Sequence, residues 1–211
     1  LDSLLAEMSG AGHSKIVADL ASPMGLARVV SELSRHYHLL VNNAGFGALG
    51  DFAALPMAKN REMIALNISA LVELSHAFLQ RAERGNAIIQ VSSTLSFLPM
   101  PAQAVYSATK AFVTAFSESL WYQCRAKGIT IINLCPGATI TNFQVRSGGK
   151  SGGIPTFVLE TADEVAACAL RALERKAGPT IISGWKNRLA AMLARVATRK
   201  QLAKIMGAVR Q

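Results

Sequence analysis

Cysteine is scarce in this chain. The 211 residues hold only Cys124, Cys135 and Cys168. These are too few and too scattered for a disulfide framework or a thiolate metal site, and they read as small buried hydrophobes of a protein kept in a reducing, cytoplasmic compartment. His13, His36, His38 and His76 fall at no ligand spacing, so no metal is expected. No run reaches the roughly 20 apolar residues of a membrane-spanning helix, and no signal-peptide pattern precedes the first expected strand. Acid is the other shortage: 13 acidic residues face 22 basic ones, a formal net charge of +9. A charge of that size suits nucleic acid, but its distribution argues against such a partner. Trp185 to Gln211 holds seven basic residues and no acid, so most of the excess is a tail. There Leu189, Met192, Leu193, Val196, Ile205, Met206 and Val209 recur at helical spacing among Lys186, Arg188, Arg195, Arg199, Lys200, Lys204 and Arg210. A basic amphipathic helix of this kind can make a peripheral contact with an anionic membrane or flank a channel for an acidic substrate. The commoner reading of such a stripe is that it packs on its own domain or on a partner subunit.

Apolar residues, by contrast, make up 51% of the chain, enough for one domain with a sizeable core. Strand and helix patterns alternate. A strand at 15–18 is followed by helix 24–36, strand 38–42, helix 57–82, strand 87–92, helix 102–127, strand 129–134, helix 162–176, strand 179–183 and helix 186–209. That order predicts an α/β fold, a doubly wound, mostly parallel, Rossmann-like sheet over residues 1–184 with the basic helix 185–211 after it. No internal repeat or long linker divides the chain. The single low-complexity patch is Ser147-Gly-Gly-Lys-Ser-Gly-Gly153. Flanked by Phe143, Val145 and Phe157, it either closes over an apolar substrate or forms a plain surface excursion.

The polar residues cluster where strands end. His38-Leu-Leu-Val runs into Asn42-Asn43-Ala44-Gly45, Ala87-Ile-Ile-Gln-Val into Ser92-Ser93, and Ile129-Thr-Ile-Ile-Asn-Leu-Cys135 into Pro136-Gly137. In an open parallel sheet that edge is where ligands bind. Between the second and third of these exits lies Tyr106-Ser-Ala-Thr-Lys110, a phenol and an ammonium four residues apart in an expected helix and therefore on one face. A nearby cation favours the phenolate and lowers the proton affinity of the tyrosine, as a general acid/base working near neutrality requires.

These residues, in this order, resemble the classical short-chain dehydrogenases/reductases. The resemblance rests on Asp19 after Lys15-Ile-Val-Ala, on Asn42 to Gly45, on Asn67 in Leu-Asn-Ile-Ser-Ala and on Ser93. It rests too on Tyr106 with Lys110, and on Pro136-Gly137 followed by Thr141. It covers the chain from Asp19 to about Gly184. It implies NAD or NADP as cofactor and a small-molecule carbonyl or secondary alcohol as substrate. Tyr106 would exchange a proton with the substrate oxygen, and Ser93 would hydrogen-bond that oxygen. Lys110 would lower the tyrosine pKa and bind the nicotinamide ribose, and Asn67 would hold a water linking Lys110 to solvent. Asp19 would meet the adenine edge, with Leu20 beside it. Asn43, Ala44 and Gly45 would line the adenosine ribose, and Thr139 and Thr141 would meet the nicotinamide amide and the phosphates. The glycine-rich patch falls where the family has its substrate loop. The family also implies a homo-oligomer formed through the long helices 57–82 and 102–127. Phe97, Leu98 and Met100 lean toward a lipid, steroid or acyl substrate.

The departures from the family are equally specific. Its glycine-rich turn, which sets backbone N–H groups and a helix N-terminus against the pyrophosphate, precedes the strand ending in Asp19, and here that position holds Leu1-Asp-Ser-Leu-Leu-Ala-Glu-Met8, read as the remainder of a helix. The chain is therefore expected to start one βαβ unit late. A literal Gly45-Phe-Gly47-Ala-Leu-Gly50 does occur, but Pro56 follows where a helix should open, and no strand ending in an acid comes about twenty residues on. Without the first two strands, Lys15 to Asp19 would pair directly with His38-Leu-Leu-Val or leave an exposed edge. Two alternatives stand beside the enzyme: a non-catalytic fragment unable to hold the dinucleotide, and an interaction module acting through its basic tail.

Overall fold

The computed structural model describes residues 2–148 and 159–208. Four strands, β1 (Leu39–Asn42), β2 (Ala87–Val91), β3 (Thr130–Cys135) and β4 (Thr180–Ile182), form one parallel sheet in the order β1-β2-β3-β4. Helices α1 (Asp2–Glu7) and α2 (Pro23–Glu32) precede it. The first crossover holds α3 (Met57–Ile64), a π-helical turn at Ala65–Ala70 and α4 (Leu71–Leu79). The second is α5 (Ala104–Cys124), and the third carries the short α6 (Phe143–Arg146) and then α7 (Ala162–Glu174). After β4 come α8 (Trp185–Val196) and α9 (Arg199–Ala208).

Side-chain alternation along the strands decides where the helices sit. Ile88 and Ile131 point to one face and pack with Phe78 of α4 and Cys124 of α5. Ile89, Ile132 and Leu134 point to the other and pack with Cys168, Ala169 and Ala172 of α7. With both faces covered, β2 and β3 are buried almost throughout. Buried Gln90 of β2 donates to Ser75 of α4 at 2.8 Å, and its oxygen accepts from the Asn42 amide of β1 at 2.9 Å.

The fold is the expected α/β one, and three details differ from the sequence reading. Lys15–Ala18 is irregular chain rather than a strand, because a strand needs a ladder partner and β1 pairs with β2 alone. It does not add to β1 either, whose outer edge carries exposed Leu39 and Val41. The helix expected at 186–209 is two helices, broken at Ala197, which is extended (φ −81°, ψ 145°). The break is set by Thr198 and Gln201, which cap each other reciprocally at the start of α9: Thr198 N–H donates to Gln201 Oε1 at 2.9 Å and Gln201 N–H to Thr198 Oγ1 at 3.3 Å. Finally, Met57–Leu79 is long and apolar enough to cross a membrane by length and composition, with mean hydropathy 1.3. In this fold it is a core element, burying Met63, Ala70, Leu71, Leu74 and Phe78. Phe157 and most of the glycine-rich patch lie outside the described residues.

Candidate active site

Tyr106 and Lys110 lie on the buried face of α5, together with Val113 and Thr114. That face looks toward the carboxyl ends of the strands, so the turn of helix carrying the phenol meets the chain leaving β2. Ser92 fixes the contact, donating to the Lys110 carbonyl at 2.8 Å and sharing a hydrogen bond with Thr114 at 2.9 Å. Ser93 then turns the chain: its backbone is extended and its hydroxyl accepts from Leu95 N–H at 3.1 Å, capping a single 3₁₀ turn. The Ser93 hydroxyl also lies near enough to the Tyr106 phenol to lower its pKa.

Lys110 is 5% exposed, and its ammonium lies 5.8 Å from the centre of the Tyr106 ring and donates to the Val91 carbonyl at 2.8 Å. An ammonium has three N–H donors. Among the described residues Val91 is its only hydrogen-bond partner, which leaves donors for a ligand. Burial lowers the lysine to about 8, with a small opposing effect from Cys135. Burial also pushes the Tyr106 phenol up to about 12, against the lowering effect of Ser93. The sequence reading expected the cation to lower the phenol. In the structure burial sets the direction instead, because Phe46, Met63, Leu95 and Phe143 pack around the phenol, and only Ser93 opposes it.

Asn67 sits in the π-helical turn, 1% exposed. Its amide nitrogen donates to the Phe46 carbonyl at 3.0 Å and to Thr109 Oγ1 at 3.1 Å, and its oxygen accepts from Phe46 N–H at 3.2 Å. The side chain therefore clamps the loop after β1 to α5, through a Thr109 hydroxyl that itself donates to the Tyr106 carbonyl at 2.8 Å. Gly45 and Gly47 allow that loop to come so close. A Cβ at Gly45 would stand 3.0 Å from Asn67 Oδ1 and 3.5 Å from Lys110 Nζ, and one at Gly47 would stand 3.4 Å from the Tyr106 ring. These two glycines of the Gly45–Gly50 run thus serve close approach to the candidate catalytic residues. The run is followed by a turn and Pro56 before α3 begins.

The remaining expected contacts divide into two groups. Leu20, Asn43 and Ala44 share an apolar cavity of about 210 Å³ with Leu40 and Val41, beside β1. Asp19 is exposed, and its carboxylate accepts from Ala21 N–H at 2.9 Å in a local turn. After β3, half-buried Thr139 donates to the Gly137 carbonyl at 3.2 Å, while exposed Thr141 accepts from Phe143 N–H at 3.2 Å and so caps α6. The structure brings Ser93, Tyr106, Lys110, Asn67 and Gly45 together, with Asn43 and Ala44 adjoining them along the chain. Sequence reasoning gave Thr109 and Thr114 no part in the site, and named Ser92 only in a strand exit and Phe143 only as a flank of the glycine-rich patch, whereas the Phe143 ring lies 5.4 Å from that of Tyr106. Thr109 carried a signal, as a polar residue inside the Tyr106–Lys110 turn.

Taken as a dinucleotide site, the residues fit at the hydride end: a buried cation with donors to spare, a phenol with its serine, and glycines that keep the approach open. Among the described residues no glycine-rich turn opens a helix toward the same edge to receive a pyrophosphate.

A sequence model described as short chain dehydrogenase matches residues 3–151. Serine 3-dehydrogenase of Rhizobium radiobacter is 33% identical over 157 residues, covering 71% of this chain and 62% of that protein. Sulfoacetaldehyde reductase 2 of Chromohalobacter salexigens is 31% identical over 162 residues, 71% of this chain and 64% of that one. The chain thus spans less than two thirds of these curated relatives, and 24% of a further one from Mycobacterium bovis. Among solved structures, a short-chain dehydrogenase from Sphingobium yanoikuyae in complex with NADPH superposes with a TM-score of 0.74 at 28% identity, covering 88% of this chain and 76% of that one.

Proposed function

The chain belongs to the short-chain dehydrogenase family, and we propose that it transfers hydride between NAD(H) or NADP(H) and a carbonyl or secondary alcohol. The observation that carries this reading is the contact set of Tyr106 with Ser93 and Lys110 at the carboxyl edge of a parallel sheet. The bound nicotinamide supplies or accepts the hydride. Ser93 holds the substrate oxygen beside the phenol. Tyr106, protonated at neutral pH because burial keeps its pKa at about 12, gives its proton to that oxygen as the carbonyl carbon is reduced, and takes it back in the reverse direction. Lys110 stabilises the phenolate left behind and offers its remaining N–H donors to ribose hydroxyls. Asn67 keeps the loop after β1 against α5 so that these groups stay in register. Asn67 would also hold a water that links Lys110 to solvent.

We further read the substrate as apolar at the reacting end, since Phe46, Leu95 and Phe143 pack around the phenol. Exposed Ile64 at the end of α3, with Phe112 and Tyr122 on α5, supports a homo-oligomer built on these long helices.

The test is a titration of the purified 211-residue chain with NADH and NADPH, read by thermal shift, followed by turnover on a panel of apolar and polar ketones. Saturable stabilisation is expected, together with ketone reduction that Tyr106→Phe lowers by about 10²–10⁴-fold without unfolding the protein. Equal turnover in the Phe variant would remove Tyr106 from the chemistry. A folded chain that responds to neither cofactor would show that these residues do not hold a dinucleotide by themselves.

A further inference from the structure

Helix α8 presents an apolar stripe to solvent on the side opposite the one that packs. Trp185, Leu189, Met192, Leu193 and Val196 recur at i, i+4, i+7, i+8 and i+11, which places them within one narrow sector of the helix. All five are exposed, from 50% at Leu189 to 84% at Val196. The opposite sector holds Asn187, Ala191 and Ala194. Ala191 is buried, and Asn187 donates to Glu160 Oε2 at 2.8 Å and to the Ser183 carbonyl at 3.0 Å. The helix is therefore fixed in rotation by its packed side, and the stripe faces away from the domain. At 100° per residue, Lys186 borders the stripe on one flank, and Arg188 and Arg195 border it on the other. From Trp185 onward the sequence contains no acidic residue.

We propose that α8 is a peripheral membrane-binding helix that lies in the headgroup region of an anionic lipid surface, with Trp185, Leu189, Met192, Leu193 and Val196 entering the acyl boundary and Lys186, Arg188 and Arg195 meeting lipid phosphates. The charges select this occupant over a second copy of the chain. A two-fold interface sets the same patch against itself. Here that would bring the basic flanks of two helices together with no carboxylate on either helix to offset them, whereas anionic headgroups neutralise both flanks at once. Nucleic acid would satisfy the basic residues and leave the stripe in water. The inference stands on α8 alone and is independent of the proposed hydride transfer.

The test is co-sedimentation of the 211-residue chain with phosphatidylcholine vesicles, with and without phosphatidylglycerol, at low and high salt. Binding to the anionic vesicles alone is expected, weakened by salt and accompanied by a blue shift of Trp185 emission. The double variant Lys186→Gln/Arg195→Gln should bind about fivefold more weakly per charge removed. The variant Leu189→Glu/Leu193→Glu should lose at least about tenfold. Both pairs are surface residues, and unchanged thermal unfolding checks that the fold survives. Failure of the wild-type chain to bind anionic vesicles overturns the proposal, as does binding that the Glu variant leaves intact. A dimer in light scattering that the Glu variant dissociates, with no vesicle-bound fraction, would assign the stripe to a second copy instead.

Discussion

Lys110→Met should make the protein more stable while disabling it. The buried ammonium is held by one backbone carbonyl at 2.8 Å. Burial moves its pKa from 10.5 to about 8, which corresponds to a destabilisation on the order of 3 kcal/mol at neutral pH, at about 1.4 kcal/mol per pH unit. Methionine fills similar space without charge. It forfeits the hydrogen bond and leaves the Val91 carbonyl without its donor, costing about 1–3 kcal/mol. The net expectation is a gain of about 1 kcal/mol, raising Tm by about 2–4 °C for a chain of this size. The pH dependence is the sharper readout. Because the folded pKa lies below the unfolded one, the destabilisation is fully present below about pH 8 and fades as pH rises toward 10.5. Urea unfolding from pH 7 to pH 10 should therefore show the wild type gaining on the variant. The window stops there because Tyr106, with its folded pKa raised to about 12, opposes the trend above its unfolded value of 10 in both proteins. A Met variant less stable than wild type at pH 7, with parallel pH curves, would refute the claim that the lysine is held there at a cost to the fold.

Three other outcomes follow from the same geometry. In the reductive direction, kcat/KM should be level below about pH 7 and fall as Lys110 loses its proton near 8, while the phenol stays protonated; a pH–rate profile flat to pH 10 would contradict the role given to the lysine. Asn67→Ala removes the three hydrogen bonds that join Phe46 and Thr109 and should cost about 2–4 kcal/mol in urea unfolding. Thr198→Ala uncaps α9 and should cost that helix about 1 kcal/mol, seen as faster amide exchange across Arg199–Ala208 with α5 unchanged.

The sheet was legible because β2 and β3 are buried on both faces and therefore read as unbroken runs such as Ala87-Ile-Ile-Gln-Val, bounded by small polar residues. Tyr106 and Lys110 were legible because helical spacing alone puts them on one face. Lys15-Ile-Val-Ala misled for the opposite reason. Its composition favours a strand, yet a strand is a pairing and not a property of the segment, and among the described residues it pairs with none of the four strands. The break at Ala197 was hidden because the apolar spacing runs on past it, while the reciprocal Thr198–Gln201 cap that marks the new start is a four-residue signal inside a longer rhythm. The direction of the tyrosine shift was beyond spacing altogether. It depends on burial of the ring by residues distant in sequence, among them Phe143, thirty-seven residues further along the chain.

Glu160 joins the candidate site to the proposed membrane helix. Its carboxylate accepts from Ser183 at 2.7 Å and from Asn187 of α8 at 2.8 Å. Its backbone pairs with the chain leaving β3, donating to the Ala138 carbonyl at 3.0 Å and accepting from Ile140 N–H at 2.8 Å, on either side of Thr139. Two glycines make the junction possible. A Cβ at Gly137 would fall on the Asn187 side chain, and Gly184, with φ 70°, lies so close that a Cβ there would stand 2.9 Å from Glu160 Oε1. Pro136-Gly137, read from sequence as a strand exit at the ligand-binding edge, is thus also the seat of α8. One half-buried carboxylate fixes both the loop that carries Thr139 and the rotation of the helix whose stripe points outward. The orientation of α8 is consequently set by the strand-end architecture and not by its own weak packing, so a surface engaged through Trp185 and Leu189 would be held at a defined angle to the edge of the sheet where Ser93 and Tyr106 meet.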